Sequence, residues 1–170
     1  MAILFELVVN FGADDRGAEA AVEEVRRVGR VDVRSASLPL SDPGVTRLGA
    51  PDTYFELSVY VRGMGYGAPG PRPTLDPGSL TREEITQVGR ALYDLLSSFT
   101  NYQAAIVGWN PESLVDIADL EADWRNGDPP GYDGLVLADY LCERWGLGPE
   151  WVAFADGYRW LPYSGSKNIW

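Results

Sequence analysis

The hydrophobic positions between Thr81 and Trp109 follow first the period of a helix and then the period of a strand. Apolar residues recur at spacings of three and four, which places them on one face of a helix: Ile85, Val88, Leu92, Leu95, Leu96 and Phe99. Thr81 with Glu84 three positions later has the pattern of a capping box. The apolar run Tyr102–Trp109 is short and predicts a strand. The sequence therefore predicts a helix packed on a sheet that contains the next segment of the chain.

The earlier part of the chain alternates in the same way between strand and helix patterns. The pattern predicts strands at 2–11, 31–38 and 53–62, and a helix that begins at Asp14 or Asp15 and ends at Gly29. The strand at 2–11 has apolar residues on both faces and is expected in the interior of a sheet. The segment 63–79 is rich in glycine and proline, and we expect an irregular loop there.

This order of elements predicts an α+β fold. Residues 1–111 are predicted to contain, in order, a strand, a helix, two strands, a helix and a strand. This is the ferredoxin-like βαββαβ arrangement, an antiparallel sheet with two helices on one face. Residues 112–170 are expected to form an acidic, tryptophan-rich α/β extension that packs on this core within a single domain. In that extension we predict helices at 112–125 and from about 134 to 145, and two strands joined by Asp156 and Gly157.

Charge separates the two parts of the chain more clearly than the fold pattern does. The chain of 170 residues has a formal net charge of −11, and residues 112–156 hold eleven acids against Arg125 and Arg144. Four of these acids recur on one face of the predicted helix: Glu112, Asp116, Asp119 and Asp123. Such a field repels nucleic acid and anionic membranes and attracts a basic partner. All 6 tryptophans also lie after residue 108, and any exposed ones are candidate interface anchors.

Most familiar catalytic sites are excluded because the chain has no histidine. Without imidazole there is no Ser-His-Asp or Cys-His site and no imidazole zinc ligand. Cys142 is the single cysteine, so the chain has no internal disulfide, and we expect Cys142 in the core. Gly65–Gly70 matches G-x-G-x-x-G, but the prolines of 71–73 replace the helix that a dinucleotide site needs. We therefore expect no cofactor, no metal and no enzyme activity, with a carboxylate-based enzyme as the catalytic alternative.

The N-terminal residues and the hydropathy indicate a cytoplasmic protein. Met1–Glu6 lacks the basic start of a signal peptide, and no apolar run approaches the roughly 20 residues of a membrane span. A single cysteine suits a reducing compartment.

A small, acidic α+β chain with clustered aromatic residues resembles the immunity proteins of bacterial polymorphic toxin systems. The resemblance implies a non-catalytic inhibitor that covers the active site of a basic toxin enzyme, such as a nuclease-like domain. We expect Glu112, Asp116, Asp119 and Asp123 to steer this partner. Trp124, Tyr132 and Asp133 are the predicted anchors beside them.

Two other functions fit the same sequence. In the first, the loop 63–79 closes a small-molecule pocket lined by Tyr60, Tyr66 and tryptophans. In the second, a free sheet face pairs with another copy of the chain. The sequence leaves the partner and the oligomeric state open.

Overall fold

The computed structural model describes residues 3–33, 36–49, 53–66 and 80–165. Within these ranges the strands are β1 (Ile3–Asn10), β2 (Arg30–Val33), β3 (Ala36–Pro39), β4 (Gly44–Leu48), β5 (Tyr54–Tyr66), β6 (Ala104–Trp109), β7 (Val136–Ala138), β8 (Val152–Ala155) and β9 (Tyr158–Trp160). The helices are α1 (Asp15–Val28), α2 (Arg82–Leu96), α3 (Ile117–Arg125) and α4 (Asp139–Arg144), with a 3-10 turn at Glu112–Val115. The predicted α+β class is confirmed.

One large antiparallel sheet organises the fold. Its strand order is β4-β5-β1-β6-β7-β9-β8, and all neighbouring strands are antiparallel. Strands β2 and β3 form a separate hairpin, which is joined to β5 by a bridge between Leu40 and Val61. Strands β7, β9 and β8 come from the C-terminal segment, so residues on both sides of position 111 build the same sheet.

Helices α1 and α2 pack on the first face of this sheet. Buried residues of both helices share one core with the odd-numbered residues of β1 and β5, among them Phe5, Leu7, Val9, Leu57 and Val59. Both helices have the predicted ends. Asp14 accepts from the Gly17 amide at the start of α1, Gly29 closes it at φ 65°, and Thr81 and Glu84 form the predicted capping box of α2.

The second face is covered by the C-terminal helices on one side only. Val8 of β1, residues of β6 and Leu137 of β7 form a second core with α3, α4 and the tryptophans 145 and 151. Strand β1 therefore has apolar residues on both faces, as predicted for an interior strand. Toward β5 the same face becomes polar, with Glu6, Asn10 and Glu56 buried there.

Two predicted elements in the first half are wrong in part. The single strand expected at 31–38 is instead the hairpin of β2 and β3, in which Arg30 pairs with Pro39 and Asp32 with Ser37. Residues 63–66 were expected in a loop but continue β5, because Gly65 and Tyr66 pair with Leu4 and Ile3. The rest of the predicted loop, 67–79, lies outside the described residues.

Both predicted C-terminal helices need correction. The helix expected at 112–125 is divided at Asp116, which is extended (φ −70°, ψ 114°) and caps α3 through the amides of Ala118 and Asp119. The helix expected from about 134 to 145 is reduced to α4, because Val136–Ala138 pairs with β6 and β9 as a strand. The predicted hairpin at Asp156 and Gly157 is confirmed between β8 and β9. Among the described helices, none combines the length and the apolar character that a membrane crossing requires.

Candidate functional site

Carboxylates from three elements meet on the second face of the sheet. Glu6 lies on β1 and Glu56 on the neighbouring strand β5. Glu112 begins the 3-10 turn that packs against β1 and β6, and Asp116 follows it. Asn10 holds this turn in place, since its side-chain amide donates to the Val115 carbonyl at 2.8 Å. We call the group Glu6, Glu56, Glu112 and Asp116 the acidic recess.

The two sheet glutamates are buried with unsatisfied oxygens. Glu6 is 2% exposed and Glu56 is 5% exposed. The Ser58 hydroxyl donates to Oε2 of Glu6. Oε1 of Glu6 and Oε2 of Glu56 accept no hydrogen bond from an N–H or O–H group of the described residues. The Glu6 carboxyl group lies within hydrogen-bond reach of the Glu112 carboxyl group, and this contact favours a proton on Glu6. A buried carboxylate oxygen without a donor is costly, so both positions favour uptake of a proton or a cation.

The pKa values of both glutamates respond to this environment. Burial raises the pKa of Glu6 from 4.5 to about 7; the hydrogen bond from Ser58 opposes the shift, and the Glu112 carboxylate adds to it. Burial also raises the pKa of Glu56 to about 7, with further increases from Glu112 and Glu6 and an opposing hydrogen bond from Tyr54. The charge of the acidic recess therefore changes near neutral pH.

Three of the four predicted steering residues border this site. Glu112 and Asp116 belong to the acidic recess. The pKa of the nearby Tyr54 hydroxyl is raised to about 12, first by burial and then by the Glu56 carboxylate. The carboxylates of Asp116 and Asp119 add to this increase. Asp123 is exposed one turn further along α3. Glu112 is not on the same helix as the others, contrary to the prediction. Within the described ranges, no ion pair involves Glu112, Asp116, Asp119 or Asp123.

Other acids of the C-terminal segment are neutralised. Glu121 forms ion pairs with Arg125 at 2.9 Å and Arg144 at 2.6 Å. Asp139 and Glu143 both face Arg159, at 3.2 and 3.9 Å. The negative field of this segment is thus weakened around α4 and remains unpaired around the acidic recess.

The three predicted anchors differ in how much they contact the rest of the protein. Trp124 is half-buried, and its indole Nε1 donates to the Trp145 carbonyl at 2.9 Å. Asp133 accepts from the amide and hydroxyl of Ser164 at 3.0 and 2.9 Å. Tyr132 is 38% exposed. Of the two aromatic anchors, Tyr132 therefore has the larger exposed fraction.

Glu6, Glu56, Tyr54 and Ser58 were not among the predicted site residues. Tyr54, Glu56 and Ser58 alternate with the apolar residues of β5, so the sequence pattern does not distinguish them from an ordinary strand face. Glu6 carried a usable signal, since it is a lone carboxylate in the centre of an interior strand that is apolar on both faces.

A separate cavity of ≈ 580 Å³ lies at the ends of β1, β7 and β9. Two of its walls are Tyr102 and Tyr158, whose rings stack at 3.9 Å, and Asn101 beside them has a φ of 63°. This cavity differs from the predicted small-molecule pocket, because neither Tyr60 nor any tryptophan lines it. The side chain of Tyr66 and the loop 67–79 lie outside the described part of the chain.

Within the described ranges, no group of three or more cysteine, aspartate and glutamate residues is arranged to hold a metal ion. No protein-family model matches the sequence, and comparisons with curated proteins and with solved structures gave no match.

Proposed function

We propose that this chain is a non-catalytic binding protein that captures a basic protein through its acidic recess and the exposed carboxylates of α3. The observation that carries the proposal is the meeting of Glu6, Glu56 and Glu112 from separate elements, with Asp116 beside them. The charged groups that act most strongly on Glu56 are themselves carboxylates: Glu112, Glu6 and Asp116. A site that gathers carboxylates in this way lowers the stability of the free protein, and a cationic partner that neutralises the carboxylates relieves this cost.

Inhibition of a basic toxin enzyme, in the manner of an immunity protein, is the function that this surface fits best. Enzymes that cleave nucleic acids present positive clefts to phosphate, and an acidic surface meets such a cleft with a high association rate. Asp119 and Asp123 are exposed on α3 and extend the negative surface outward from the recess. The partner in this proposal is a nuclease-like toxin domain, and this chain acts in the cytoplasm.

We also infer a ferredoxin-like unit at the centre of the fold. The order β4-β5-β1-β6 supports this inference, because it is the 2-3-1-4 order of a split βαβ sheet with α1 and α2 on one face. The hairpin of β2 and β3 is then an insertion, and β7, β9 and β8 extend the sheet beyond its last strand.

A charge-reversal experiment tests the capture proposal. The probe is a basic toxin domain encoded beside this chain, and the readouts are its association rate at low and high salt and the survival of cells that express both proteins. Lysine at Asp116, Asp119 and Asp123 is expected to lower the association rate at low salt by about tenfold or more and to abolish protection.

The matched control carries the same change in net charge elsewhere. Glu19, Glu150 and Asp156 are exposed, and lysine at these three positions also changes the net charge by +6 relative to the parent chain. The control is expected to retain most of the association rate and the protection. Equal losses in both triple variants would show that net charge alone, and not this surface, governs binding.

A further inference from the structure

We propose that the acidic recess is a subsite for one guanidinium group, in which Glu6, Glu56 and Glu112 together receive a single arginine side chain. The identity of the arginine as part of a basic protein rests on the proposed function. The existence of a guanidinium site does not, because a small arginine derivative can test it without any partner.

Unsatisfied acceptors from two strands define the recess. Oε1 of Glu6 and Oε2 of Glu56 are both buried and lack donors among the described residues. Glu112 lies close enough to raise the pKa of both glutamates. An ionised carboxylate can only accept hydrogen bonds, and Ser58 and Tyr54 satisfy only part of the acceptor capacity of the two sheet glutamates. The ionised group therefore needs further donors and positive charge. A guanidinium supplies both, since it presents five N–H donors in one plane.

The chemistry of the recess favours a guanidinium over other cations. Within the described ranges, no cluster of three carboxylate or thiolate ligands is arranged for a metal ion. An ammonium group is a compact point charge with a tightly held hydration shell, whereas a guanidinium is weakly hydrated and enters buried sites at lower cost. Acceptors on separate strands also suit a planar, multi-donor group better than a single point of charge.

Glu112 is the movable wall of this subsite. It is exposed, and it begins a single 3-10 turn that has no side-chain cap. The sheet glutamates are fixed by strand pairing, whereas the Glu112 side chain is exposed and is hydrogen-bonded with the Glu6 carboxyl group. A guanidinium would replace this hydrogen bond. We infer that the Glu112 side chain turns outward to admit the guanidinium and then closes over it as a third acceptor.

Binding at this subsite is linked to protons. In the free protein, burial and the neighbouring carboxylates hold protons on Glu6 and Glu56 up to about pH 7. The groups that face them are Ser58, Tyr54, Glu112 and Asp116. A bound cation favours the ionised carboxylates and lowers their pKa, so binding releases protons and strengthens as the pH rises through about 7.

The experiment uses the full chain and three monovalent probes: N-acetyl-arginine amide, N-acetyl-lysine amide and N-acetyl-norleucine amide. Titration calorimetry at pH 7 in two buffers of different ionisation enthalpy measures affinity and proton release together. Backbone amide shifts of Ser58 and Glu56 locate the probe. The arginine probe is expected to bind saturably at this site with release of protons, at least tenfold more tightly than the lysine probe, and the norleucine probe is not expected to bind.

Conservative variants distinguish binding at this subsite from a general effect of the protein's negative charge. Glu6→Gln with Glu56→Gln is expected to lower arginine affinity at least tenfold and to abolish proton release, whereas Glu19→Gln, on α1 across the sheet, keeps both. Absence of arginine binding to the parent chain, equal binding of the lysine probe, or unchanged binding in the double variant would each overturn the proposal. If charge reversal does not change binding or protection while the arginine probe binds as expected, the guanidinium subsite is supported and the basic-protein partner is wrong.

Discussion

The Tyr93 hydroxyl donates a hydrogen bond to the Gly134 carbonyl at 2.7 Å and so joins α2 to the segment that leads into β7. The same hydroxyl accepts from the Val107 amide of β6 at 3.1 Å. Tyr93 is 3% exposed, and Trp160 and Tyr163 pack against its ring at 5.2 Å. One buried side chain therefore connects the helix that covers the first face with the C-terminal strands that extend the sheet.

Removal of this hydroxyl should weaken the whole fold. Tyr93→Phe leaves the Gly134 carbonyl and the Val107 amide without their buried partner, and we expect a loss of about 1–3 kcal/mol in the free energy of unfolding. Urea denaturation followed by tryptophan fluorescence measures it. Tyr132→Phe, on an exposed ring, is the control and should stay within about 0.5 kcal/mol. Equal effects of the two substitutions would contradict a structural role for the Tyr93 hydroxyl.

Gly134 is needed for the same contact. It has a φ of 82°, and a Cβ at this position would collide with the Tyr93 hydroxyl. Gly127 has a φ of 85°, but a Cβ there would meet no atom within 4 Å. Gly127→Ala thus measures backbone strain alone, about 1–2 kcal/mol, and Gly134→Ala should cost clearly more in the same denaturation assay. If both substitutions cost the same, the close approach of Tyr93 does not restrict this position.

The sequence predicts those elements whose signals are local. α2 begins at a capping box and repeats its apolar stripe within itself, so neighbouring residues determine both its existence and its start. β7 has no such signal. Val136–Ala138 is three residues long and lies in a run that also suits a helix, and it is a strand because β6 and β9 pair with it. Pairing with residues distant in sequence cannot be inferred from periodicity.

Some residues of the candidate site are likewise predicted from local patterns, and others are not. The acidic pattern predicts Asp116 and Asp119 as site residues, and both carboxylates act on the Tyr54 hydroxyl, but the chain turns at Asp116 instead of continuing as one helix. Glu56 follows a strand alternation that is typical of a solvent-facing side, whereas Glu6 is a lone carboxylate between Leu4 and Val8 on one face of β1. The 3-10 turn that carries Glu112 returns to pack on β1, and the Asn10–Val115 hydrogen bond that holds it spans about a hundred residues of sequence. No local pattern reports such a contact.

Trp124 should contribute to stability whether or not it also contacts a partner. Its indole donates to the Trp145 carbonyl, and the two rings lie 6.4 Å apart. Trp124→Phe loses this bond and part of the ring contact, so we expect a cost of about 1–2 kcal/mol in the free energy of unfolding. Tyr132→Ala should weaken partner binding by more than its own effect on the free energy of unfolding explains, because part of the Tyr132 ring is exposed. Full stability in Trp124→Phe would show that its ring is free to serve as an anchor.

Stability should fall as the pH rises through the titration of the buried glutamates. The pKa of Glu6 and of Glu56 is about 7 in the folded chain and near 4.5 when unfolded, so between these values the folded state binds more protons than the unfolded state. The free energy of unfolding therefore decreases as the pH rises, with a slope that corresponds to the release of up to about two protons on unfolding. The stabilisation that is present below pH 4.5 is lost by about pH 7. The measurement is a series of urea denaturations from about pH 5 to about pH 8. Glu6→Gln with Glu56→Gln should flatten this dependence, whereas Glu19→Gln should retain it; the same slope in all three proteins would mean that the two buried carboxylates do not titrate in this range.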